Sequence, residues 1–331
     1  MAQPGIVRTT HIYKNFGGLE LSLDVISPSN NASAGPTTAL IHYHGGFLIL
    51  GDKQTFPPQW LINAALRRNW TYITPSYRLL PESTGSDALN DALDAANWVA
   101  ANITPRIVIA GSSAGGYLAV ATASQLTTPK PLAVLSVYGM LDLAHPRYLT
   151  PGTSVMNQPP IPDTAPLLAQ IAAARGIGVK DAYPFPAAPA QDPRMHWIAA
   201  AHQEALFPDL LTGVPGMARK IADAGVQAVE PAHRRLFPLA FGAVKGLPPT
   251  VLLHGLDDSA VGAEQSIAAA AVLEEAGVEV LLKTVPGREH GFDLREVAPE
   301  VDVEAAGDEG SPVVQSLRDV IQFLDAAVAR S

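Results

Sequence analysis

Ser113 stands in Gly111-Ser112-Ser113-Ala114-Gly115, a G-x-S-x-G pattern that closes the apolar stretch IVIA and opens YLAVATA, a run suited to helix. A serine hydroxyl is a poor nucleophile until a base takes its proton and a carboxylate orients that base. On a sharp strand-to-helix turn the hydroxyl is presented outward, and small neighbours give the strained backbone its room. The helix N-terminus adds positive potential beneath it. Taken alone the pattern is weak, because Gly and Ser are common residues; its strand-turn-helix setting gives it weight.

Partners of the required types follow in the order acid, then histidine. The stretch LLHGLDDSAV puts Asp257 and Asp258 just past an apolar run, and VPGREHGFD puts His290 just past the next one, with Gly291 to let the loop turn. Asp258 is favoured as the orienting acid because the stretch fits H-G-x-x-D-x-x-V there. Asp257 stays open, its other reading being a cap for the helix that follows. A further need is a set of fixed N–H donors for negative charge on a tetrahedral intermediate. HYHGGF supplies one: Gly45, Gly46, Phe47 and Ala114 form the candidate oxyanion hole, with the amides of Gly46, Phe47 and Ala114 as donors. His42 and His44 share a strand face, but no carboxylate is spaced to complete a metal site. His44 is expected to anchor the glycine loop, and His42 to be an ordinary, partly buried histidine.

Holding these groups in one place requires a scaffold, and the sequence alternates accordingly. THIYKN and LELSLDVISP read as an antiparallel strand pair. Then TALIHYHGG, WTYITPSYR, RIVIAGSS and LAVLSVYGM read as strands separated by the helices PQWLINAALRRN, SDALNDALDAANWVAAN and AGGYLAVATASQL. Such alternation predicts a mostly parallel sheet flanked by helices. It stops after Met140 and resumes at PTVLLHGLDD, followed by a helix, the strand VEVLLKTVPG and a final helix, PVVQSLRDVIQFLDAAVA. The intervening segment is far too long for a plain loop and is Pro-rich, with helical stretches at MHWIAAAHQEALFPDLL and AHRRLFPLAFGA. The expected organisation is a catalytic domain of residues 1–140 and 246–331, with residues 141–245 inserted as a helical cap. Trp197, Ile198, Leu206, Phe207, Leu210, Leu236, Phe237 and Phe241 are expected to form the cap's own core or to line an apolar pocket.

Among the chain's 331 residues 47% are apolar and 16% charged, a globular composition. A net charge of −9 and the absence of a Lys/Arg block argue against a nucleic-acid partner. The chain has no Cys, which removes disulfides and thiolate metal sites. Neither a signal-peptide run nor a membrane-span-length apolar stretch is apparent, so a soluble cytoplasmic protein is expected. A sheet edge or the final helix offers a surface for a homodimer.

Together the motifs resemble the hormone-sensitive-lipase-like esterases of the α/β-hydrolase superfamily. HGGF stands for that family's H-G-G-G, SYRLLPE for Y-R-L-A-P-E and GSSAGG for G-D-S-A-G-G, while HGLDDSAV and EHGF supply the acid and base loops. The resemblance covers nearly the whole chain and implies an α/β-hydrolase fold. It also implies a Ser113, Asp258, His290 triad, no cofactor, and a small-molecule acyl substrate. By the same likeness Tyr77, Arg78 and Glu82 are structural supports, and Asp91 packs on a helix side. Phe47 replaces a glycine, as in kynurenine-formamidase-like relatives, and Ser112 replaces an acid. The implied activity is hydrolysis of a small-to-medium hydrophobic ester, with amide, lactone or thioester cleavage in secondary metabolism as alternatives. A ligand-binding receptor, as among gibberellin-receptor-like relatives, is a further alternative that the presence of His290 disfavours.

Overall fold

Eight stretches rich in β-branched and aromatic residues pair into one sheet in the computed structural model, which describes residues 5–29, 38–305 and 310–330. They are β1 (Ile6–Phe16), β2 (Leu19–Pro28), β3 (Ala39–Tyr43), β4 (Thr71–Pro75), β5 (Ile107–Ser112), β6 (Ala133–Val137), β7 (Thr250–Gly255) and β8 (Val280–Val285). Their order across the sheet is β1-β2-β4-β3-β5-β6-β7-β8. β2 runs antiparallel to β1 and β4, and every other pairing is parallel. β1 begins at Ile6, earlier than the alternation in THIYKN suggests, because cross-strand pairing with β2 continues to Pro28. The sequence-expected α/β sheet is therefore present.

The helices are α1 (Gln59–Arg67), α2 (Gly85–Asn102), α3 (Ala114–Ala123), α4 (Pro146–Leu149), α5 (Ala165–Ala174), α6 (Pro193–Gln203), α7 (Phe207–Thr212), α8 (Met217–Ala224), α9 (Glu264–Glu275), α10 (Phe292–Arg295) and α11 (Pro312–Ala329). Alternation along each central strand feeds two cores. Ile109 faces one, packed with α2, α3 and α9, while Val108 and Ala110 face the other, packed with α1 and α11. α3 is buried on every side, as a helix apolar all round should be.

Register aligns the ends of the parallel strands. Tyr43 pairs with Gly111, Ser112 with Val137, and Gly255 with Val285. The segments following β3, β5, β6, β7 and β8 thus leave the sheet along one edge, where ligands bind in such folds.

No strand lies between Val137 and Thr250 among the described residues; α4 to α8 and three 3₁₀ turns occupy that stretch. Two expected helices there differ from their reading. The run from Met195 to Leu211 splits into α6 and α7, because Pro208 must sit at a helix start and Ala205 between them turns at φ 53°. In AHRRLFPLAFGA only a 3₁₀ helix, Pro231–Leu236, forms before Pro238 stops it. Ile198, Phe207, Leu210, Leu236 and Phe237 are buried in a core continuous with that of the sheet.

Candidate active site

Ser113 occupies the turn from β5 into α3 at φ 57° and ψ −121°, a conformation that side-chain-bearing residues adopt only under strain. The turn is held by Ser113 N–H donating to Val137 O (2.9 Å) and by Met140 N–H donating to Ser113 O (3.1 Å). Close packing explains the flanking glycines. A Cβ on Gly111 would lie 2.0 Å from Gly115 O, and one on Gly115 would lie 2.0 Å from Tyr43 O. The small residues let α3 start directly against β3 and β5.

The acid and base loops meet. His290 Nδ1–H donates to Asp258 Oδ2 at 2.6 Å, which leaves Nε2 with its lone pair free. Asp257 is exposed, and among the described residues only its backbone N–H is engaged, with Arg288 O at 3.0 Å. Asp258 Oδ1 accepts from Ala260 N–H (2.9 Å) and Val261 N–H (2.8 Å), so the carboxylate is fixed at both oxygens. His254, at the head of the same HGLDDSAV stretch, stands 3.2 Å from Asp258 Oδ2 through Nε2. Since the same nitrogen faces Val261 O (2.8 Å), it carries the proton, and Nδ1 accepts from Ser266 (2.7 Å). Burial pushes the Asp258 carboxyl up, but hydrogen bonds from His254 and His290 outweigh it and hold the group well below the usual carboxylate range. Ser113 Oγ makes no direct hydrogen bond to His290 among the described residues. The two are linked across Tyr138, which follows Val137 and whose ring centroid lies 4.4 Å from that of His290.

Gly45 abuts the serine: a Cβ there would come within 3.0 Å of Ser113 Cβ. Gly46 turns at φ 114°, and Phe47 and Leu48 both follow in the left-handed region, at 56° and 62°. Ile49 and Leu50 N–H groups close the turn on Gly46 O, whereas the N–H groups of Gly46, Phe47 and Ala114 find no protein acceptor among the described residues. His44 does anchor this loop. Its ring stacks on Tyr77 (4.2 Å, 11°), its Nδ1 meets Gly45 O at 2.8 Å, and burial lowers its pKa to about 4, so the ring is neutral. His42 is wholly rather than partly buried, and its Nε2 bonds Ser112 Oγ at 3.0 Å. Ser112 thus uses the place of the family's acid to bond a neutral histidine.

The inserted segment grips the glycine loop. Phe47 packs edge-on against His202 of α6 (5.1 Å, 89°) and near Phe207 of α7 (6.0 Å). Arg194 of α6, 2% exposed, hydrogen-bonds Ile49 O, Leu80 O and Glu82 Oε1, and its guanidinium lies over Tyr183 (4.7 Å). Gly51 and Tyr183 exchange two backbone hydrogen bonds. Glu82 is thereby a support, as expected, and so are Tyr77, on His44, and Arg78, which chelates Asp91 at 2.7 and 2.9 Å. Arg194 was not legible in the sequence; its only signal was Asp192-Pro193, a helix start that the structure uses. Arg194→Met should leave Glu82 buried without its cation, lowering stability by about 3–5 kcal/mol in urea unfolding. Adding Glu82→Leu should restore part of that loss.

Arg235 bonds Asn90 (2.7 Å), and Arg234 lies over Phe241 (4.9 Å), so both have partners within the protein. Among the described residues no His, Asp and Glu cluster is arranged to hold a metal, and no helix is long and apolar enough to cross a membrane.

The strained serine at the end of a central parallel strand, with later-strand loops supplying a histidine and its carboxylate, defines an α/β-hydrolase-type protein. A family model described as alpha/beta hydrolase fold matches residues 40–211, more than half of the chain, and the chain belongs to that family. The prolyl oligopeptidase family model matches residues 178–303. The chain is similar to a non-reducing polyketide synthase of Preussia isomera, 28% identical over 86% of this chain, of whose length it spans only 12%. It is also similar to a probable carboxylesterase of a Phoma species, 27% identical over 77% of this chain and 79% of the relative. The carboxylesterase/phospholipase LipF of Mycobacterium tuberculosis is 30% identical over 71% of this chain and 64% of its own length. Among solved structures, brefeldin A esterase, a bacterial homologue of human hormone-sensitive lipase, superposes with a TM-score of 0.65 at 17% identity, covering 99% of this chain and 79% of its own. A Staphylococcus aureus protein of unknown function superposes at 0.66 and 17%, covering 97% and 99%. The family expected from the motifs is the family found.

Proposed function

We propose that this chain is a serine hydrolase that cleaves the carboxylic ester of a small-to-medium hydrophobic acyl substrate through an acyl-enzyme. The observation that carries the reading is the 2.6 Å bond from His290 Nδ1–H to Asp258, together with a serine held at φ 57° on the turn from β5 into α3. His290 Nε2 takes the Ser113 proton as Oγ bonds the acyl carbon. The carbonyl oxygen gains the negative charge, and the N–H groups of Gly46, Phe47 and Ala114, left without protein acceptors among the described residues, stabilise it. The tetrahedral centre collapses as His290 hands its proton to the leaving oxygen. Water, deprotonated by His290, then attacks the acyl-enzyme, and Ser113 regains its proton from the imidazolium. Residues 141–245 act as the cap that shapes the acyl site, in keeping with their grip on the Gly46–Phe47 turn.

A second reading, release of an acyl chain from a thioester, uses the same groups and is favoured by the similarity to polyketide synthases. One assay separates them. Turnover is measured for p-nitrophenyl esters from acetate to decanoate, and for acyl thioesters, lactones and N-formyl amides of matched acyl length. Ester hydrolysis with an optimum at short or medium chains is the expected result. Thioester turnover with no ester turnover would replace the first reading by the second, and no turnover of any of them would end both.

A further inference from the structure

Behind His290 lies a second carboxylate that the triad does not use. Asp293, at the start of α10, is 1% exposed, and each of its oxygens receives one side-chain donor: Tyr138 OH at 2.8 Å on Oδ1 and Trp60 Nε1–H at 2.8 Å on Oδ2. Tyr138 is also the ring against His290, its plane tilted 53° to the imidazole. Its backbone is fixed between the two halves of the site, since Tyr138 N–H donates to Leu253 O (2.6 Å) on β7 and the preceding Val137 O accepts from Ser113 N–H. Tyr138 itself turns at φ 40°, an unusual conformation for a side-chain-bearing residue. The phenol therefore touches the base with its face while its hydroxyl is tied to an acid three residues downstream of that base.

We propose that Asp293 is a positioning residue for His290: through Tyr138 it seats the imidazole, and its charge opposes the positive charge that the ring gains when Ser113 is deprotonated. The inference rests on the Ser113, His290, Asp258 reading above. Burial raises the Asp293 carboxyl, and the charge of His290 is among the influences that lower it; the same attraction favours the imidazolium. Burial and the neighbouring Asp293 push the Tyr138 phenol well above its ordinary range, so Tyr138 remains a donor. The other titratable or charged groups around the base loop are Asp258, whose Oδ2 accepts from the ring, Glu289, whose Oε2 accepts from Ser259 and from His290 N–H, Arg295, whose Nε donates to Gly291 O, and Arg288, paired with Glu296 at 2.9 Å. None of these reaches Tyr138 OH.

The test compares Asp293→Asn, Tyr138→Phe and His290→Ala with the wild type. It measures kcat and KM for a p-nitrophenyl ester across pH, the rate of covalent inactivation by a phosphonate ester, and thermal unfolding. Asp293→Asn keeps the volume but removes one acceptor and the charge. The expected result is a fall in kcat of about 10- to 100-fold with KM little changed. The acid limb of the profile moves to lower pH by about half a unit or more, because an imidazolium without its counter-charge loses its proton more readily. Tyr138→Phe keeps the ring and should move the acid limb the same way, and it serves alone if Asp293→Asn does not fold. An unmoved acid limb, even with reduced stability or kcat, overturns the proposal and leaves Asp293 as a tie between α1 and α10. If His290→Ala still reacts with the phosphonate at the wild-type rate, the base itself is wrongly assigned. That outcome removes this proposal too, but it is read from a different variant and a different signal.

Discussion

Ser113→Ala lowers kcat/KM for the best ester about 10⁶-fold, equivalent to about 8 kcal/mol of transition-state stabilisation, while KM changes little. In the proposed mechanism the loss is this large because Ser113 forms the bond to the acyl carbon; without it His290 and Asp258 have no proton to move. Residual turnover above the uncatalysed rate should persist, since the substitution leaves in place the proposed oxyanion donors, the N–H groups of Gly46, Phe47 and Ala114, which have no protein acceptor among the described residues. A companion variant separates chemistry from strain. Alanine at position 113 inherits φ 57° and its cost, whereas Ser113→Gly removes the side chain that conflicts with that backbone. Ser113→Gly should therefore be as inactive as the alanine variant yet more stable by about 1 kcal/mol in urea unfolding, after allowing for glycine's freer unfolded chain. Retention of more than a hundredth of the wild-type ester activity by either variant would falsify Ser113 as the nucleophile.

Asp258→Asn should cost about 10⁴ in kcat near neutral pH while the fold survives. The geometry dictates why. Ala260 and Val261 N–H groups both point at Oδ1, so the amide oxygen of an asparagine must take that place. The NH₂ group then replaces Oδ2, facing His290 Nδ1 at 2.6 Å and the His254 Nε2–H. To accept from the amide, His290 has to give up its Nδ1 proton and carry it on Nε2, turning a donor rather than a lone pair toward Ser113. Acid stability should change as well. Because Asp258 is held below its unfolded value, its contribution is fully present above about pH 4 and fades as the pH falls through the lower, folded-state value. The asparagine variant lacks that component, so its stability should fall less steeply on acidification. The comparison is made by urea unfolding from neutral pH down to the start of acid denaturation.

Much of the candidate site was readable because its parts are local. A glycine-serine-glycine turn between a β-branched run and a helical run involves few residues, and each neighbour declares its own conformation. The choice between Asp257 and Asp258 was harder, since adjacent residues differ only in which way the loop turns them. The geometry brings Asp258 to His290 and leaves Asp257 outside. What stayed hidden was tertiary. Arg194 reaches Glu82 and Ile49 across 112 and 145 positions of sequence, from a helix whose buried face includes an arginine and a histidine and so shows no clean apolar stripe. Tyr138 and Asp293 are single polar-tipped residues beside apolar runs, and only the approach of the β6 and β8 ends joins them. Between β6 and β7 the lack of strands was legible, yet the helix breaks at Ala205 and Pro238 depended on proline positions that the helical pattern had overridden.

The packing of Phe47 on His202 and Phe207, with Arg194 fastened to Ile49, makes the segment between β6 and β7 part of the support for the Gly46–Phe47 turn, the proposed oxyanion turn, rather than a detachable visor. If that turn holds the oxyanion and the same segment shapes the acyl site, as proposed, selectivity and turnover share hardware. A chimaera that imports a foreign segment to accept a new acyl group would then also loosen the proposed donor amides, unless it carries matching residues for Phe47 and Ile49 to rest on.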